Sequence, residues 1–389
     1  MDTTVLSQKS KLGQFCVSFY GRLLQLENWL QIGELTLEYD SQLQLHPLFD
    51  REGVALGIIL GVLIDTEQSR VVIGNVCLDV GANDPDLAQE VENQVYRYEQ
   101  FMRSEKKRKL LQPDLILRFG DQPFTKSLLV ALDDWSEIPI IHFSSRRETQ
   151  DHAMSVTHKI ECQPSDQFDL DNIQFNANPD WLSQWMEMDQ SANERLNKSI
   201  EKTNPLTDGH VFHYLSNRMN NDWNVMLSNS FIPRDMAMFG KSGSNQFVNR
   251  GAAGIDGIIS TAIGIAISTE LPTCCIAGDL AFLHDSNALL SLKKIQHPFI
   301  ITVINNGGGN IFKMLPVSEN KEYFQDYFIT PQNIDIQKLA EAHNLPFKKI
   351  RSVDEMKSVD PNNISGVQII EFETDPDESM NLRHTLWET

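Results

Sequence analysis

The stretch CCIAGDLAFLHDSNALLSLKKIQHPFIITVINNGGGNIFKMLP, residues 274–316, decides the fold of this chain. Its two ends contain short apolar runs, 274–277 and 299–304, which have the length and composition of buried strands. The segment between them, 282–294, has the apolar spacing of a helix. This order predicts a strand, a helix and a second strand, a crossover that joins parallel strands in one sheet.

A small polar cluster follows each predicted strand: Gly278-Asp279 after the first and Asn305-Asn306 after the second, with 25 residues between Asp279 and Asn305. Both clusters are expected at one edge of the sheet, because the carboxyl ends of parallel strands meet where open α/β sheets bind their ligands. The Asp279 carboxylate and the Asn306 amide oxygen are hard ligands. With backbone carbonyls and ligand phosphates they make the sparse shell that Mg²⁺ prefers.

Three glycines, Gly307, Gly308 and Gly309, continue the second cluster. They have no Cβ, so the main chain can approach a bulky anion, and backbone N–H groups at the following turn would face a diphosphate. The spacing matches the thiamine diphosphate motif, which begins Gly-Asp and ends Asn-Asn. A bare Gly-Asp pair is more often a turn, whereas the full pattern predicts a site for thiamine diphosphate with Mg²⁺ or Mn²⁺.

Composition restricts the classes of partner. The formal net charge of −20 argues against nucleic acid or an anionic membrane surface, since the long-range field repels polyphosphates. A small anionic ligand must therefore be held by local arginines. The five cysteines have no zinc or disulfide spacing and are interpreted as buried thiols in a reducing compartment. With no apolar run of membrane-spanning length and no signal peptide, no membrane insertion and a cytoplasmic location are expected.

At 389 residues the chain is long enough for two domains and a partial third. The pattern predicts an α/β protein with two Rossmann-like parallel-sheet domains. The predicted division comprises an unassigned segment 1–65, a central β/α domain 66–178, a helical connector 179–204 and a ligand-binding domain 205–389.

In the central domain the pattern predicts strands at 71–76, 115–119 and 138–143 and helices at 84–109 and 125–132. It contains no Gly-x-Gly-x-x-Gly fingerprint, which favours a structural domain over a nucleotide site. After 205 the pattern predicts helices at 209–219, 254–268 and 336–343, strands at 224–227 and 367–372, and a charged tail.

Four strings go beyond a general thiamine diphosphate pattern: Ser228-Asn229-Ser230 with Arg234, then NRGAAGIDG at 249–257, GDLAFLHDSNALL and NNGGGNIFKMLP. They resemble one family, 2-succinyl-5-enolpyruvyl-6-hydroxy-3-cyclohexene-1-carboxylate synthase, the thiamine diphosphate enzyme of menaquinone biosynthesis. The string YRYEQFMRSEKKRKLLQPDLILRFGDQPFTKSL and the later Ser145-Arg146-Arg147 extend the resemblance to about residues 70–389. It implies a carboligase that decarboxylates 2-oxoglutarate and adds the succinyl-semialdehyde carbanion to isochorismate.

The resemblance also implies roles for individual residues. Asp279, Asn306 and the Gly308 carbonyl would ligate the metal. The cofactor would contact Gly278 of the motif, Ser230 near the diphosphate, and Ile255 beneath the bent coenzyme. The residues implied in substrate binding are Arg234, Arg250, Phe312, Leu315, Arg146 and Arg147.

Structural interpretations stay open for these residues. Arg234 and Arg250 could be ion-paired or surface arginines, and Arg146-Arg147 could be a solvated basic pair. The side chains of Ile255, Phe312 and Leu315 could belong to the core.

Full-length members of the family begin with a pyrimidine-binding domain that carries an activating glutamate. This chain is expected to lack that domain, and the activating residue is not identified. Glu52, in Asp50-Arg51-Glu52-Gly53, loosely resembles its neighbourhood, with the order transposed. Accordingly, the expected partners are a second copy of the chain, as in a homodimer, or a separate chain that supplies the pyrimidine domain.

Two other functions remain open. One is a thiamine diphosphate enzyme of the acetolactate synthase or pyruvate decarboxylase type. Arg234 and Arg250 argue against this function, because those enzymes handle small monocarboxylates and need fewer cationic contacts. The other is a non-catalytic fragment that binds thiamine diphosphate or metal and serves as an assembly partner.

Overall fold

The computed structural model describes residues 59–65, 70–76, 95–119, 123, 125–144, 151, 154–161, 179–241 and 244–387. The chain divides into two compact units, residues 1–193 and 194–389. Glu52, Arg146 and Arg147 lie outside the described residues. The finer division at residues 65, 178 and 204 stays a prediction.

The first unit contains a five-stranded sheet in the order β2-β1-β3-β4-β5. Its strands are β1 (Ile59–Asp65), β2 (Arg70–Val76), β3 (Leu115–Phe119), β4 (Ile140–Ser144) and β5 (His158–Glu161). Strands β3, β4 and β5 run parallel, but β1 is antiparallel to both β2 and β3. The α/β class is confirmed, whereas a wholly parallel sheet is wrong for this unit. Only four residues join β1 to β2, and so short a connection permits an antiparallel hairpin but no crossover.

Helices of the first unit surround an aromatic core. Trp181 meets Trp185 edge-on at 6.1 Å between ring centroids, and Trp185 meets Phe101 at 5.9 Å. The described part of the helix predicted at 84–109 is two short helices separated at 102–104, where Ser104 is extended. The helices are α1 (Tyr98–Phe101), α2 (Glu105–Leu110), α3 (Lys126–Asp134) and α4 (Pro179–Lys202), the last of which continues into the second unit.

The second unit is built on a six-stranded sheet in the order β10-β11-β9-β8-β6-β7, and every pairing in it is parallel. Its strands are β6 (Asn224–Leu227), β7 (Asn245–Val248), β8 (Thr273–Gly278), β9 (Phe299–Asn305), β10 (Phe347–Ile350) and β11 (Val367–Glu373). The two strands of the deciding stretch, β8 and β9, lie in the middle. They are apolar at nearly every position because both faces of a central parallel strand are buried.

Helices cover this sheet, and the main core cluster contains residues such as Ile259, Phe282 and Ile301. The helices are α5 (Asp208–Arg218), α6 (Ile232–Phe239), α7 (Ile258–Thr269), α8 (Asp279–His284), α9 (Lys321–Phe324), α10 (Ile336–Ala342), α11 (Val353–Met356) and α12 (Pro376–Trp387). Short 3-10 segments span Ser286–Lys294, Asn310–Met314, Pro316–Glu319 and Pro361–Asn363, and a π-helical turn spans Gln325–Ile329. Among the described residues, no helix combines the length and apolarity needed to cross a membrane.

The structure also corrects three predictions in the second unit. The crossover from β8 to β9 is α8 followed by a 3-10 segment, and α8 begins at Asp279 itself. The small-residue helix begins at Ile258, later than predicted, because Gly257 before it has a φ of 69°. The expected charged tail is the helix α12, whose Arg383 is 2% exposed.

A histidine side chain, which can titrate, forms part of the cap at the start of α5. Thr207 caps the helix by accepting from the His210 backbone N–H at 3.4 Å, while His210 Nδ1 accepts from the Thr207 backbone N–H at 3.3 Å. On the other side of the ring, Nε2 donates to the carbonyl of Ile200 at 3.0 Å. Both ring nitrogens are therefore used by the neutral imidazole, and burial lowers the pKa of His210.

We expect acid to destabilise the protein partly through His210. A histidine whose pKa is depressed on folding contributes stability above its unfolded pKa, about 6.5, and loses it as pH falls through that value. Thermal unfolding at pH 7.5 and pH 5.5 should show a larger loss of Tm for the wild type than for His210→Gln. Glutamine at this position keeps the cap without titrating. Equal losses in the two proteins would contradict this role.

Candidate active site

The carboxyl edge of β8 and β9 brings the two predicted clusters together. The parallel register pairs Gly278 with Ile304, so Asp279 follows on one strand beside Asn305 on the other. Asp279 is 7% exposed. Burial raises the pKa of Asp279 to about 6, although the backbone N–H groups of Leu280, Asp279 and Gly308 oppose the shift. Gly308 therefore lies against the Asp279 carboxylate. This contact connects the segment after β9 to the end of β8.

Asn306 is held from two sides. Its Nδ2 donates to Oδ2 of Asp208 at 3.1 Å, and its Oδ1 accepts from Nδ2 of Asn310 at 3.2 Å. The Asn310 amide also donates to the backbone carbonyls of Asn306 at 2.8 Å and Gly308 at 3.4 Å. An amide oxygen has two lone pairs, and Asn310 uses one of them. The second is available to a cation.

The glycine run is required by the protein's own backbone. Gly308 has a φ of 119°, and a Cβ there would collide with the carbonyl oxygen of Ile329. Gly309 donates its N–H to the same carbonyl at 2.7 Å, and a Cβ on Gly309 would collide with the carbonyl oxygen of Phe328. Residues of the π-helical turn thus occupy the space beside Gly308 and Gly309, where the sequence predicted a bulky anion. At Gly307, which has a φ of 81°, no atom lies within 4 Å of the position of a Cβ. Of the three glycines, Gly307 alone leaves open space for a bulky anion.

The segment after β6 forms a second part of this edge. Ser230 has a φ of 69°, a left-handed conformation that is costly for a residue with a Cβ. Its carbonyl accepts from Nη1 of Arg234 at 2.5 Å. Ser228 is 1% exposed, and its Oγ has no hydrogen-bond partner among the described residues. This buried hydroxyl is a polar group that an added ligand could satisfy.

Asn229 connects this segment to the loop that carries Arg250. Its Nδ2 donates to the carbonyls of Asn249 at 3.2 Å and Gly254 at 2.6 Å. Its Oδ1 accepts from Nη1 of Arg250 at 2.9 Å. Burial lowers the pKa of Arg250, yet a guanidinium remains a cation at neutral pH. Arg234 and Arg250 therefore each donate a hydrogen bond through Nη1, to the Ser230 carbonyl and to Asn229 Oδ1, and neither of these two acceptors is a carboxylate.

The three predicted apolar residues differ in exposure. Ile255 is half-buried and packs against the core cluster, as a structural interpretation expects. In contrast, Phe312 is 36% exposed and Leu315 is 49% exposed, so neither is a core residue. The Phe312 ring meets Phe328 edge-on at 5.6 Å. The functional roles of all three residues remain predictions.

The donors at this edge fit a hard divalent cation bound together with a phosphate ligand. The described residues contain no group of three or more His, Cys, Asp or Glu side chains able to hold a metal. One carboxylate, one amide oxygen and a backbone carbonyl form an incomplete shell. Mg²⁺ commonly completes such a shell with phosphate oxygens and water.

The sequence did not predict the structural roles of four residues in this region: Asp208, Asn229, Asn310 and Arg383. Asp208 lies 98 residues before Asn306, and Arg383 lies 175 residues after Asp208. No local pattern connects positions so far apart. Asn229 and Asn310 both lie in strings that the sequence analysis singles out, Ser228-Asn229-Ser230 and NNGGGNIFKMLP.

The chain is similar to known proteins in and beyond this region. Residues 235–361 match the family described as thiamine pyrophosphate enzyme, C-terminal TPP binding domain. The curated relatives include a protein of Rippkaea orientalis that is 31% identical over 296 residues, which cover 73% of this chain and 49% of the relative. A protein of Crocosphaera subtropica is 30% identical over 298 residues, covering 74% and 50%. Another from Oceanobacillus iheyensis is 28% identical over 308 residues, covering 76% and 52%.

All three relatives are named 2-succinyl-5-enolpyruvyl-6-hydroxy-3-cyclohexene-1-carboxylate synthase. The chain spans about half the length of these relatives, 49% to 52%. The resemblance seen in the sequence is thereby confirmed: over about three quarters of its length this chain is similar to these synthases, and its second unit carries a thiamine pyrophosphate enzyme C-terminal domain.

Proposed function

We propose that this chain is a thiamine diphosphate-dependent carboligase of the 2-succinyl-5-enolpyruvyl-6-hydroxy-3-cyclohexene-1-carboxylate synthase type. The proposed reaction decarboxylates 2-oxoglutarate and joins the remaining four-carbon unit to isochorismate. The observation that carries the proposal is the meeting of Asp279, Asn306 and Gly308 at one edge of β8 and β9. This arrangement lies inside the segment that matches a TPP-binding domain.

The proposed metal ligands are Oδ of Asp279, Oδ1 of Asn306 and the carbonyl of Gly308, holding Mg²⁺ or Mn²⁺. A cation here would offset the cost of burying the Asp279 carboxylate, which its raised pKa reflects. Metal binding should then compete with protonation of that carboxylate.

Thiamine diphosphate would supply a nucleophilic carbon that accepts the oxoacid and stabilises the negative charge left by decarboxylation. The residues proposed to contact it are Gly278, Ser230 and Ile255. Ser228 adds a buried hydroxyl at the same edge, and no hydrogen bond to its Oγ is found in the part of the chain that the structure describes. The proposed work of this chain is to bind and orient the diphosphate end of the cofactor.

The proposed substrate contacts are the two arginines at this edge, with Phe312 and Leu315 as exposed apolar walls. Both substrates are dicarboxylates, and a chain with a formal charge of −20 repels them at long range. Local guanidinium groups provide the compensating attraction and bind carboxylates as a fork. Arg146 and Arg147 are proposed as further contacts on the basis of the resemblance.

The proposed setting is the cytoplasm. Cys274 and Cys275 are both free and buried, and burial raises the pKa of Cys274 to about 12, which suits inert thiols in a reducing compartment. The proposed assembly is a homodimer or a complex with a chain that supplies a pyrimidine-binding domain. Light scattering with and without thiamine diphosphate would measure the assembly.

The direct test of the function is consumption of isochorismate by the full chain, followed spectroscopically. Consumption should require 2-oxoglutarate, thiamine diphosphate and Mg²⁺ together. A parallel reaction would add, as a separate polypeptide, the part of the Rippkaea orientalis relative that this chain does not match. If calorimetry detects no binding of thiamine diphosphate with Mg²⁺, and no turnover occurs in either reaction, the proposal is wrong.

Replacing Asp279 by alanine should abolish most of the metal-dependent binding of thiamine diphosphate. Asp279 is the only charged group among the proposed ligands, so its loss should exceed the roughly 10- to 100-fold typical of a second-shell partner. Titration calorimetry with Mg²⁺ and thiamine diphosphate measures the change. Asp285→Ala is the matched control, since Asp285 lies at the other end of α8 and binds Ser260 N at 2.7 Å and Oγ at 3.0 Å. Equal affinity in Asp279→Ala and the wild type would refute the site.

Removing either arginine should damage recognition of the dicarboxylate more than binding of the cofactor. A buried carboxylate that loses a charge-assisted partner typically costs about 2–5 kcal/mol. Arg234→Ala and Arg250→Ala should therefore weaken 2-oxoglutarate binding to the Mg²⁺-loaded and cofactor-loaded chain, while affinity for thiamine diphosphate changes little. The control is Arg218→Ala, whose guanidinium stacks over Tyr214 at 5.2 Å. An arginine variant that matched this control would mark that arginine as structural.

A further inference from the structure

A buried ionic cluster lies directly behind the proposed metal ligand Asn306. Arg383, on α12, donates to both oxygens of Asp235, with Nε 2.8 Å from Oδ1, and its Nη2 lies 2.7 Å from Oδ2 of Asp208. All three side chains are at most 3% exposed. Arg383 also stacks over the Phe231 ring at 3.9 Å.

Asp208 connects this cluster to the edge of the sheet. Its Oδ1 accepts from Oγ1 of Thr374 at 2.6 Å, and its Oδ2 accepts from both Arg383 and Nδ2 of Asn306. Burial alone would lower the pKa of Arg383, but the carboxylates of Asp235 and Asp208 raise it overall. Asp208 and Asp235 are thus both ion-paired with Arg383. Among the hydrogen bonds of the described residues, the one from Asn306 to Asp208 joins this cluster to a proposed metal ligand, and the charge of Asp208 also contributes to the raised pKa of Asp279.

The bond from Asn306 to Asp208 has a defined direction. A carboxylate facing Arg383 only accepts hydrogen bonds, so it must face the NH₂ end of the Asn306 amide. A flipped amide would place Oδ1 against the Asp208 oxygen and Nδ2 against the Nδ2 of Asn310, replacing two hydrogen bonds by two repulsive contacts. A metal cation requires the amide oxygen and is repelled by the NH₂ group.

We infer that Asp208 is a positioning residue: by accepting from Asn306 Nδ2 it fixes the amide with Oδ1 at the cation site, and Arg383 holds Asp208 for that task. The inference rests on the proposed function, because it assumes that a divalent cation binds at Asn306. It goes beyond that function by assigning metal affinity to a residue that touches neither metal nor cofactor. Outer hydrogen bonds of this kind are known to tune metal ligands.

The competing explanation is that Asp208 only ties α5 to α12 through its ion pair. Two substitutions separate the explanations. Asp208→Leu removes both the charge and the acceptor. Asp208→Asn removes only the charge, because its amide oxygen can face Arg383 and Asn306 while its NH₂ group donates to the Thr374 hydroxyl, which also accepts.

Mn²⁺ affinity in the presence of thiamine diphosphate, measured on the full chain from the electron paramagnetic resonance of free Mn²⁺, is the primary readout. We expect Asp208→Leu to bind Mn²⁺ about 10- to 100-fold more weakly than the wild type. Asp208→Asn should stay within about threefold of the wild type even though its Tm falls, since the acceptor is kept.

The matched control is Asp235→Leu, which removes the other carboxylate of the same arginine and forms no hydrogen bond with Asn306 among the described contacts. Its Tm should fall as in Asp208→Leu, while its Mn²⁺ affinity should stay close to that of the wild type. If Asp208→Leu does not fold, Asp208→Ser replaces it, since its shorter side chain admits water and cannot reach Asn306. The same weakening is expected.

Equal Mn²⁺ affinity in Asp208→Leu, Asp208→Asn and the wild type would overturn the inference and leave the proposed function standing. Equal weakening in Asp208→Leu, Asp208→Asn and Asp235→Leu would also overturn it, by showing that only the ion pair matters. A wild-type chain that binds no Mn²⁺ with thiamine diphosphate would overturn the proposed function together with the inference.

Discussion

The parallel register between β8 and β9 is the constraint on which the site depends. Because Gly278 pairs with Ile304, the carboxylate that follows one strand and the two asparagines that end the other arrive at the same edge. A slip of one residue would turn every side chain of a strand to the opposite face. The register is specified by burial, since the apolar side chains on both faces of these central strands pack against helices.

Close approach of backbone segments then shapes the edge. The π-helical turn directs the Ile329 carbonyl at Gly309 and leaves no room for a Cβ on Gly308. The glycines thus serve chain packing as well as the ligand. In the proposed site, this packing would help to fix the Gly308 carbonyl as a ligand, together with the Asn310 side chain, whose Nδ2 donates to that carbonyl at 3.4 Å.

The buried charges near the site in the second unit are compensated by neighbouring groups. The chain is strongly acidic, yet the buried carboxylates near the site each have a specific partner: Asp235 and Asp208 share Arg383, and Asp279 faces backbone N–H groups. A buried carboxylate without compensation would be costly. Burial raises the pKa of both Asp235 and Asp279 to about 6, but Asp279 is the least compensated of the three by side chains, which supports the proposal of a cation ligand at this position.

The sequence by itself determined seven of the eleven described strands, the order of the two strands in the deciding stretch and the polar residues that follow them. These features are local: apolar runs specify buried strands, and a parallel crossover brings the ends of two successive strands to one edge. Asp279, Asn306 and Gly308 could therefore be predicted together, as could the strand before Ser228-Asn229-Ser230. Strands β1, β5, β7 and β10 and the helix α12 were not predicted, because a short run does not distinguish a strand from a helix or a loop and a charged segment does not reveal its buried face.

Only the tertiary structure decided what surrounds those residues. Asp208, Thr374 and Arg383 come from distant parts of the chain, and their shared cluster exists because α5, α12 and the end of β11 pack together. Likewise, no pattern showed that Ile329 occupies the space beside Gly308 or that Asn229 holds Arg250. Local periodicity encodes which face of an element is buried, whereas the direction of a single hydrogen bond depends on which distant side chain is brought against it.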